Sequence, residues 1–392
     1  MSKRYVVLRS VETPRTRSAT PGAVATDAPS SPIAVELEEM APARAAEVAR
    51  HRDVRAVAPV VPMKLVEPVP LDVTADPLQN GSTWGVKAVK ADTSPFTGAG
   101  VVVSVLDTGI DPNHAAFAGM TLERKNFTTA GEDDQNGHGT HCAGTIFGRD
   151  VDGTRIGVAP GVERALIGKV LGPGGGSSDR ILEAIEWSLR NGAHIISMSL
   201  GIDFPGFVEE LRQDGVPVPL ATSMALEGYR ANVLLFERLA ALVEARSAFM
   251  QAAILVAAAG NESQRNVHPD FEIAVSPPAV ADGIISVAAL QPDAQGLTIA
   301  PFSNTGARVS GPGVGVLSAR AGGGLRSLNG TSMATPHVAG VAALWAQKLR
   351  IAGQFASPLF TDRLIGAATM TPLATGFDPP DVGAGIVQAP QD

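Results

Sequence analysis

Hydrophobic spacing divides the chain into a small first part and a large second part. Gly100-Val101-Val102-Val103-Ser104-Val105-Leu106 is a nearly unbroken β-branched run, the pattern of a strand buried on both faces in a parallel sheet. Similar runs recur from Ala165 to Leu171, His194 to Leu200, Ile254 to Ala259 and Gly283 to Leu290. Between them, apolar residues return at helical spacing from Ser178 to Arg190, from about Ala231 to Gln251 and from Thr335 to Leu349. Strands alternating with helices predict an α/β domain built on a doubly wound parallel sheet. In the first part, Tyr5 to Leu8 reads as a short strand, Ile33 to Leu37 alternates with period two, Ala41 to His51 reads as a helix and Val54 to Val61 as another strand. Val11 to Pro32, crowded with Thr, Ser, Pro and Ala, reads as a loop. The expected organisation is a small α/β domain over 1–65, a proline-rich linker over 66–82 and the large domain over 83–392. No internal repeat points to a solenoid.

Composition removes several partners. The 392 residues carry 31 basic against 39 acidic groups, a net charge of -8, so no basic stripe is available for nucleic acid or anionic lipid. No apolar run approaches the roughly 18 residues needed to span a bilayer, and the first residues lack the core of a signal peptide. A cytoplasmic or non-classically exported bacterial protein with no membrane partner is the expectation. Cys142 is the only cysteine, so no internal disulfide forms.

Four places carry chemistry. Asp107-Thr108-Gly109-Ile110-Asp111 ends the first buried strand, where open α/β sheets place functional groups. Asn136 to Gly144 puts His138 and His141 at a glycine-marked helix start, and Ala257-Ala258-Ala259-Gly260-Asn261-Glu262 ends a later strand. Asn329-Gly330-Thr331-Ser332-Met333-Ala334-Thr335-Pro336 places Ser332 at a second helix start, where unpaired N–H groups and the helix dipole favour negative charge. Pro336 is expected in that helix's first turn, where its missing N–H does no harm. Singly, each residue has a plain use, as a strand-end turn, a helix-terminus histidine, a Gly-Asn turn or an N-cap. Together, an acid, a base, an amide and a hydroxyl are what acyl transfer needs. The nucleophile elbow of α/β-hydrolases does not fit, because Gly330-Thr331-Ser332-Met333-Ala334 lacks the second glycine and the histidine precedes the serine.

This conjunction resembles the subtilisin-like serine proteases, the subtilases. The resemblance runs from about Trp84 to Ala389 and includes Trp84-Gly85-Val86, Gly157-Val158-Ala159-Pro160, Ser197-Met198-Ser199-Leu200-Gly201, Phe302-Ser303-Asn304 and Asn329 to Gly340. It implies Asp107, His138 and Ser332 as the triad, preferring Asp107 over Asp111 and His138 over His141, with Asn261 as the oxyanion donor. It further implies that Ser199, Leu200, Gly201, Ala258 and Gly260 wall a pocket for an apolar residue before the cut bond, and that the edge containing Gly174 pairs with an extended peptide. A cis bond before Pro278 is also implied. The function implied is a serine endopeptidase, a zymogen acting on polypeptides through an acyl-enzyme and needing no cofactor. Residues 1–65 resemble the family's prosegment, a chaperone and inhibitor whose tail from Pro62 to Pro70 would run through the cleft. A peptide macrocyclase or transpeptidase would use the same acyl-enzyme, and a catalytically silent peptide-binding module the same cleft. Calcium is a separate question: Ala116 stands where close relatives carry a liganding aspartate, while Asp150 and Asp152 before Gly153 form either a cation loop or a solvated turn. Phe204 to Tyr229 is additional material beside the pocket segment, open to a role in restricting substrates or holding a partner.

Overall fold

The Val102–Asp107 strand, buried from Val103 onward, forms the centre of the molecule. It lies between Arg164–Lys169 and Ile195–Met198, parallel to both. Outward, the sheet continues through Thr121–Asn126 on the first side, and through Ile254–Ala258, Ile284–Asp293 and Val309–Pro312 on the second. All of these strands are parallel, and Gly296–Ile299 closes the eight-stranded sheet as one antiparallel edge. The expected doubly wound α/β sheet is therefore present. Its strands leave Val102–Asp107 in both directions, which makes the C-terminal end of that strand a switch point, and Asp107 stands there.

Side-chain alternation assigns the helices to faces. Ser104 Oγ lies 2.8 Å from Ser188 Oγ, so the Ser178–Arg190 helix covers one face. Asp107, three residues on, points the other way and meets the His138–Phe147 helix. The Thr331–Ile351 helix packs on that second helix and on the segment after it, where a Cβ at Gly340 would run into Val158. The Pro277–Pro278 peptide is cis, as the resemblance implied.

This computed structural model describes residues 2–10, 33–70, 81–247, 251–375 and 378–392. The Val11 to Pro32 loop and residues 71–80 of the expected linker lie outside the described residues. One helix starts well before its pattern suggests. Val218–Arg246 opens on Val-Pro and runs through Thr222, Ser223 and Gly228, ahead of the start near Ala231 that its apolar spacing gives. Its small buried residues Ala221 and Ala225 form a separate cluster with Leu211 of the Phe204–Gln213 helix, and that packing supplies what local propensity lacks. Among the described residues no helix is long and apolar enough to cross a membrane.

The first part is a three-stranded antiparallel sheet of β1 (Lys3–Ser10), β2 (Ile33–Met40) and β3 (Val54–Pro59), with α1 (Pro42–Val48) on one face. Tyr5 and Val7 turn towards Ala45 and Val48 of α1. Val6 and Leu8, one residue out of phase, join the core of the large domain together with Ile33, Ala56 and Ala58. Both faces of this small sheet are thus covered, one by its own helix and one by the large domain. Asn232 Nδ2 donates to the Pro59 carbonyl at 2.9 Å across the same contact. From β3 the chain enters β4 (Pro62–Leu65), the middle strand of a second three-stranded sheet. The expected linker needs correction at its start: Val66 is buried and Val69 is hydrogen-bonded to Asn329, because their backbone groups find partners in the large domain.

Candidate active site

Asp107 and His138 are joined directly. His138 Nδ1 lies 2.8 Å from Asp107 Oδ1, which also accepts from the Thr108 N–H at 2.7 Å. The contact requires the helix to approach the strand end closely, and Gly139 makes this possible, since a Cβ there would strike the Gly109 carbonyl. Burial works against a charge on His138, but Asp107 and Cys142 together more than offset it, and the imidazole's pKa is raised well above its ordinary 6.5. Its Nε2 is buried with no hydrogen-bond partner among the described residues. His141 is placed differently. Its Nε2 faces the Val316 and Arg326 carbonyls, and burial, with the charges of His138 and Arg326, pushes its pKa to about 3. Asp111 is occupied by the backbone N–H groups of Asn113 and Gly322.

Sequence reading missed Asp134. Its Oδ1 accepts from Thr108 Oγ1 at 2.8 Å and from the N–H of Gly137 at 2.7 Å, and its Oδ2 from Thr140 N at 2.9 Å and Thr140 Oγ1 at 2.7 Å. Burial tends to raise its pKa, but these bonds more than offset that and the carboxyl titrates below its ordinary range. Thr108 Oγ1 in turn accepts from Gly139 N, and Thr140 Oγ1 from Asp111 N. One carboxylate thereby ties the Asp107 loop to the first turn of the His138 helix. The available signal was an acid just ahead of a helix start, where donors are unpaired.

Ser332 is the second residue of the Thr331–Ile351 helix and is fully buried. Pro336 corrects the expectation of a first-turn proline: the helix starts at Thr331, so Pro336 falls in its second turn. Its missing N–H leaves the Ser332 carbonyl without its helical donor, and Ser199 Oγ (3.3 Å) and Cys142 Sγ (3.4 Å) donate instead. Cys142 also touches His138 Nδ1 at 3.7 Å, so this thiol lies beneath both residues. Burial pushes its pKa up, which keeps it an S–H donor. Asn261 is oriented by its own oxygen, which accepts from Thr331 N at 2.9 Å and Thr331 Oγ1 at 2.8 Å.

A piece of the chain's own backbone lies across this site. β4 pairs antiparallel with Leu200–Ile202, setting Leu65 opposite Leu200 and Lys64 opposite Gly201. On its other side it pairs with Gly176 and Ser177. Gly174 does not take part; it sits at the tip of the turn bridged by Gly172 and Gly175, in open space, and of the expected Gly172 to Gly176 edge it is Gly176 that pairs with β4. Val66 N donates to the Ser199 carbonyl at 3.4 Å, and the Val66 side chain lies beside Gly201. Ser332 Oγ donates to the Val66 carbonyl at 2.8 Å, whereas Asn261 Nδ2 donates to the Glu67 carbonyl at 2.8 Å. Beyond them, Asn329 holds Val69 through both its backbone groups. Ala258 is buried at the end of its strand, and Gly260 N donates to Thr331 Oγ1.

Among the described residues Asp150 and Asp152 belong to no cluster of three metal-ligating side chains. Ala116 is buried in the apolar core and supplies no ligand. Asp152 and Gly153 take positive φ of 50° and 77° between Val151 and Thr154, which exchange both backbone hydrogen bonds, so Asp152 occupies the corner of a tight turn.

The fold thus brings a buried acid–imidazole pair, a helix-start hydroxyl and an oriented amide together near the switch point of a parallel sheet. Residues 98–371 match the profile of the Subtilase family. Over 274 residues, 68% of this chain, the sequence is 32% identical to subtilisin DY of Bacillus licheniformis and 36% identical to subtilisin Savinase of Lederbergia lenta, covering 84% of each. It is also 36% identical to alkaline elastase YaB of Bacillus sp. strain YaB, of which it spans 60%. The chain belongs to the subtilase family and is a serine endopeptidase.

Proposed function

We propose that the chain is a latent endopeptidase in which Ser332 is the nucleophile, His138 the general base, Asp107 its orienting acid and Asn261 the oxyanion donor, with the N-terminal residues through Val66 as the resident inhibitor. The observation that carries this reading is a polypeptide backbone crossing the hydroxyl, with the Val66 carbonyl on Ser332 Oγ. In the reaction, Ser332 Oγ passes its proton to His138 Nε2 and bonds to the carbonyl carbon of a substrate. Asn261 Nδ2 and the Ser332 N–H take the developing oxyanion, and His138 returns the proton to the leaving amine. Water then cleaves the acyl-enzyme by the same steps in reverse. Gly201 and the neighbouring small residues accept an apolar side chain before the cut bond, as Val66 illustrates.

The pose also accounts for latency. Attack requires nucleophile and oxyanion donor to address one carbonyl, yet here Ser332 engages Val66 and Asn261 engages Glu67. Ser332→Ala should abolish peptide hydrolysis and labelling by a fluorophosphonate. Asn261→Ala should retain labelling but lower turnover by about 100-fold or more, the effect of removing the equivalent donor in subtilisin. Hydrolysis persisting in the serine variant would overturn the assignment.

A further inference from the structure

We propose that Asp203 and Glu262 form an acidic subsite for a lysine or arginine three residues before the cut bond; this rests on the endopeptidase reading and on β4 marking the substrate path. Counted back from Val66 at the pocket, Leu65 is second and Lys64 third, opposite Gly201. Lys64 Nζ lies 3.8 Å from Asp203 Oδ1 and 3.8 Å from Glu262 Oε1. The two acids reach it from different loops, one after Leu200–Ile202 and the other after Ile254–Ala258.

Both carboxylates are held in place by partners other than Lys64. Asp203 is the N-cap of the Phe204–Gln213 helix and accepts from Gly206 N at 3.2 Å. Glu262 Oε2 accepts from Asn304 Nδ2 at 2.8 Å, which leaves Oε1 turned to the cleft. Two acids facing one ammonium leave a negative charge over even when Lys64 is in place, so the subsite attracts a cation and repels an acidic residue. The side chains are 31% to 39% exposed, which keeps the subsite open to a free substrate but also screens it. It also gives the additional segment a function at the cleft, since Asp203 anchors its first helix.

The test uses quenched fluorescent peptides Pro-Met-Xaa-Leu-Val-Glu-Ala, with Xaa as lysine, norleucine or glutamate, and the full chain incubated until its rate on peptide is steady. Each half-exposed pair contributes about 1.4- to 5-fold, so lysine should exceed norleucine in kcat/KM by about fivefold at low salt, with glutamate lowest. The preference should contract in about 0.5 M salt and in the double variant Asp203→Asn, Glu262→Gln, whose side chains keep the helix cap and the Asn304 bond. Equal rates for lysine and norleucine, or a preference unchanged in the double variant, would overturn the subsite while leaving the endopeptidase reading intact. Cleavage of none of the three peptides would overturn the endopeptidase reading itself, and the subsite with it.

Discussion

His138 sits between a carboxylate and a thiol, and that setting determines the pH at which it can act as a base. Burial opposes its protonated form, but Asp107 and, after it, Cys142 together more than offset that, so the proton is held to higher pH than in a free histidine. Only the neutral ring can take a proton from Ser332, so kcat/KM should climb with pH along a limb whose midpoint lies above 6.5. A pH–rate profile on a small peptide checks this, and a midpoint below 6.5 contradicts it. Asp107→Asn should lower both the rate and the midpoint. At this scale the sequence was informative about position: Asp107 and Asn261 stand at or just after strand ends, and His138 and Ser332 in the first turns of helices, as their motifs indicated. It said little about Pro336, whose lost hydrogen bond matters only because Ser199 and Cys142, distant in sequence, reach the Ser332 carbonyl.

The His138–Phe147 helix and the loop after Val102–Asp107 are aligned less by their own propensities than by Asp134. Removing that carboxylate leaves the buried donors of Thr108, Gly137 and Thr140 unpaired. Asp134→Ala should therefore lower stability by about 1–3 kcal/mol, read from the urea midpoint. It should also lower kcat more than it raises KM, because His138 loses its register against Asp107 while the peptide-pairing strand is untouched. Asp134→Asn, which keeps an acceptor oxygen but brings donors of its own, should recover part of the loss. A variant with wild-type kcat would show that Asp107 and His138 align without it. Elements with strong periodicity were legible: the Ser178–Arg190 helix has the bounds its apolar spacing gave. The early turns of Val218–Arg246 were not, because Thr, Ser and Gly become helical there through packing on Phe204–Gln213.

On the scale of the whole molecule, the N-terminal sheet behaves as one wall of the large domain's core. Val6, Leu8 and Ile33 bury against it, Arg4 lies 3.8 Å from Asp179, which is buried, and Asn232 holds Pro59. A parallel sheet such as the one around Val102–Asp107 folds slowly through long-range pairing, and a preformed surface packed on it can lower that barrier. The same contacts carry β4 into the cleft, so in the proposed reading one interface serves both a chaperone role and an inhibitory role. Release then requires a cut. Val66 lies beside Gly201 and its N–H bonds to Ser199, so in the proposed reading Val66–Glu67 is the bond set for cleavage once the Val66 carbonyl turns to Asn261. Purified wild-type chain should therefore shorten to a product beginning at Glu67, seen by intact mass, while Ser332→Ala stays full length. Residues Trp84 to Asp392 expressed alone should be poorly soluble or inactive and should gain activity when the N-terminal piece is supplied in trans. Soluble, active protein without that gain would rule out the chaperone role, and a wild-type chain that stays intact with full peptidase activity would rule out the inhibitory one.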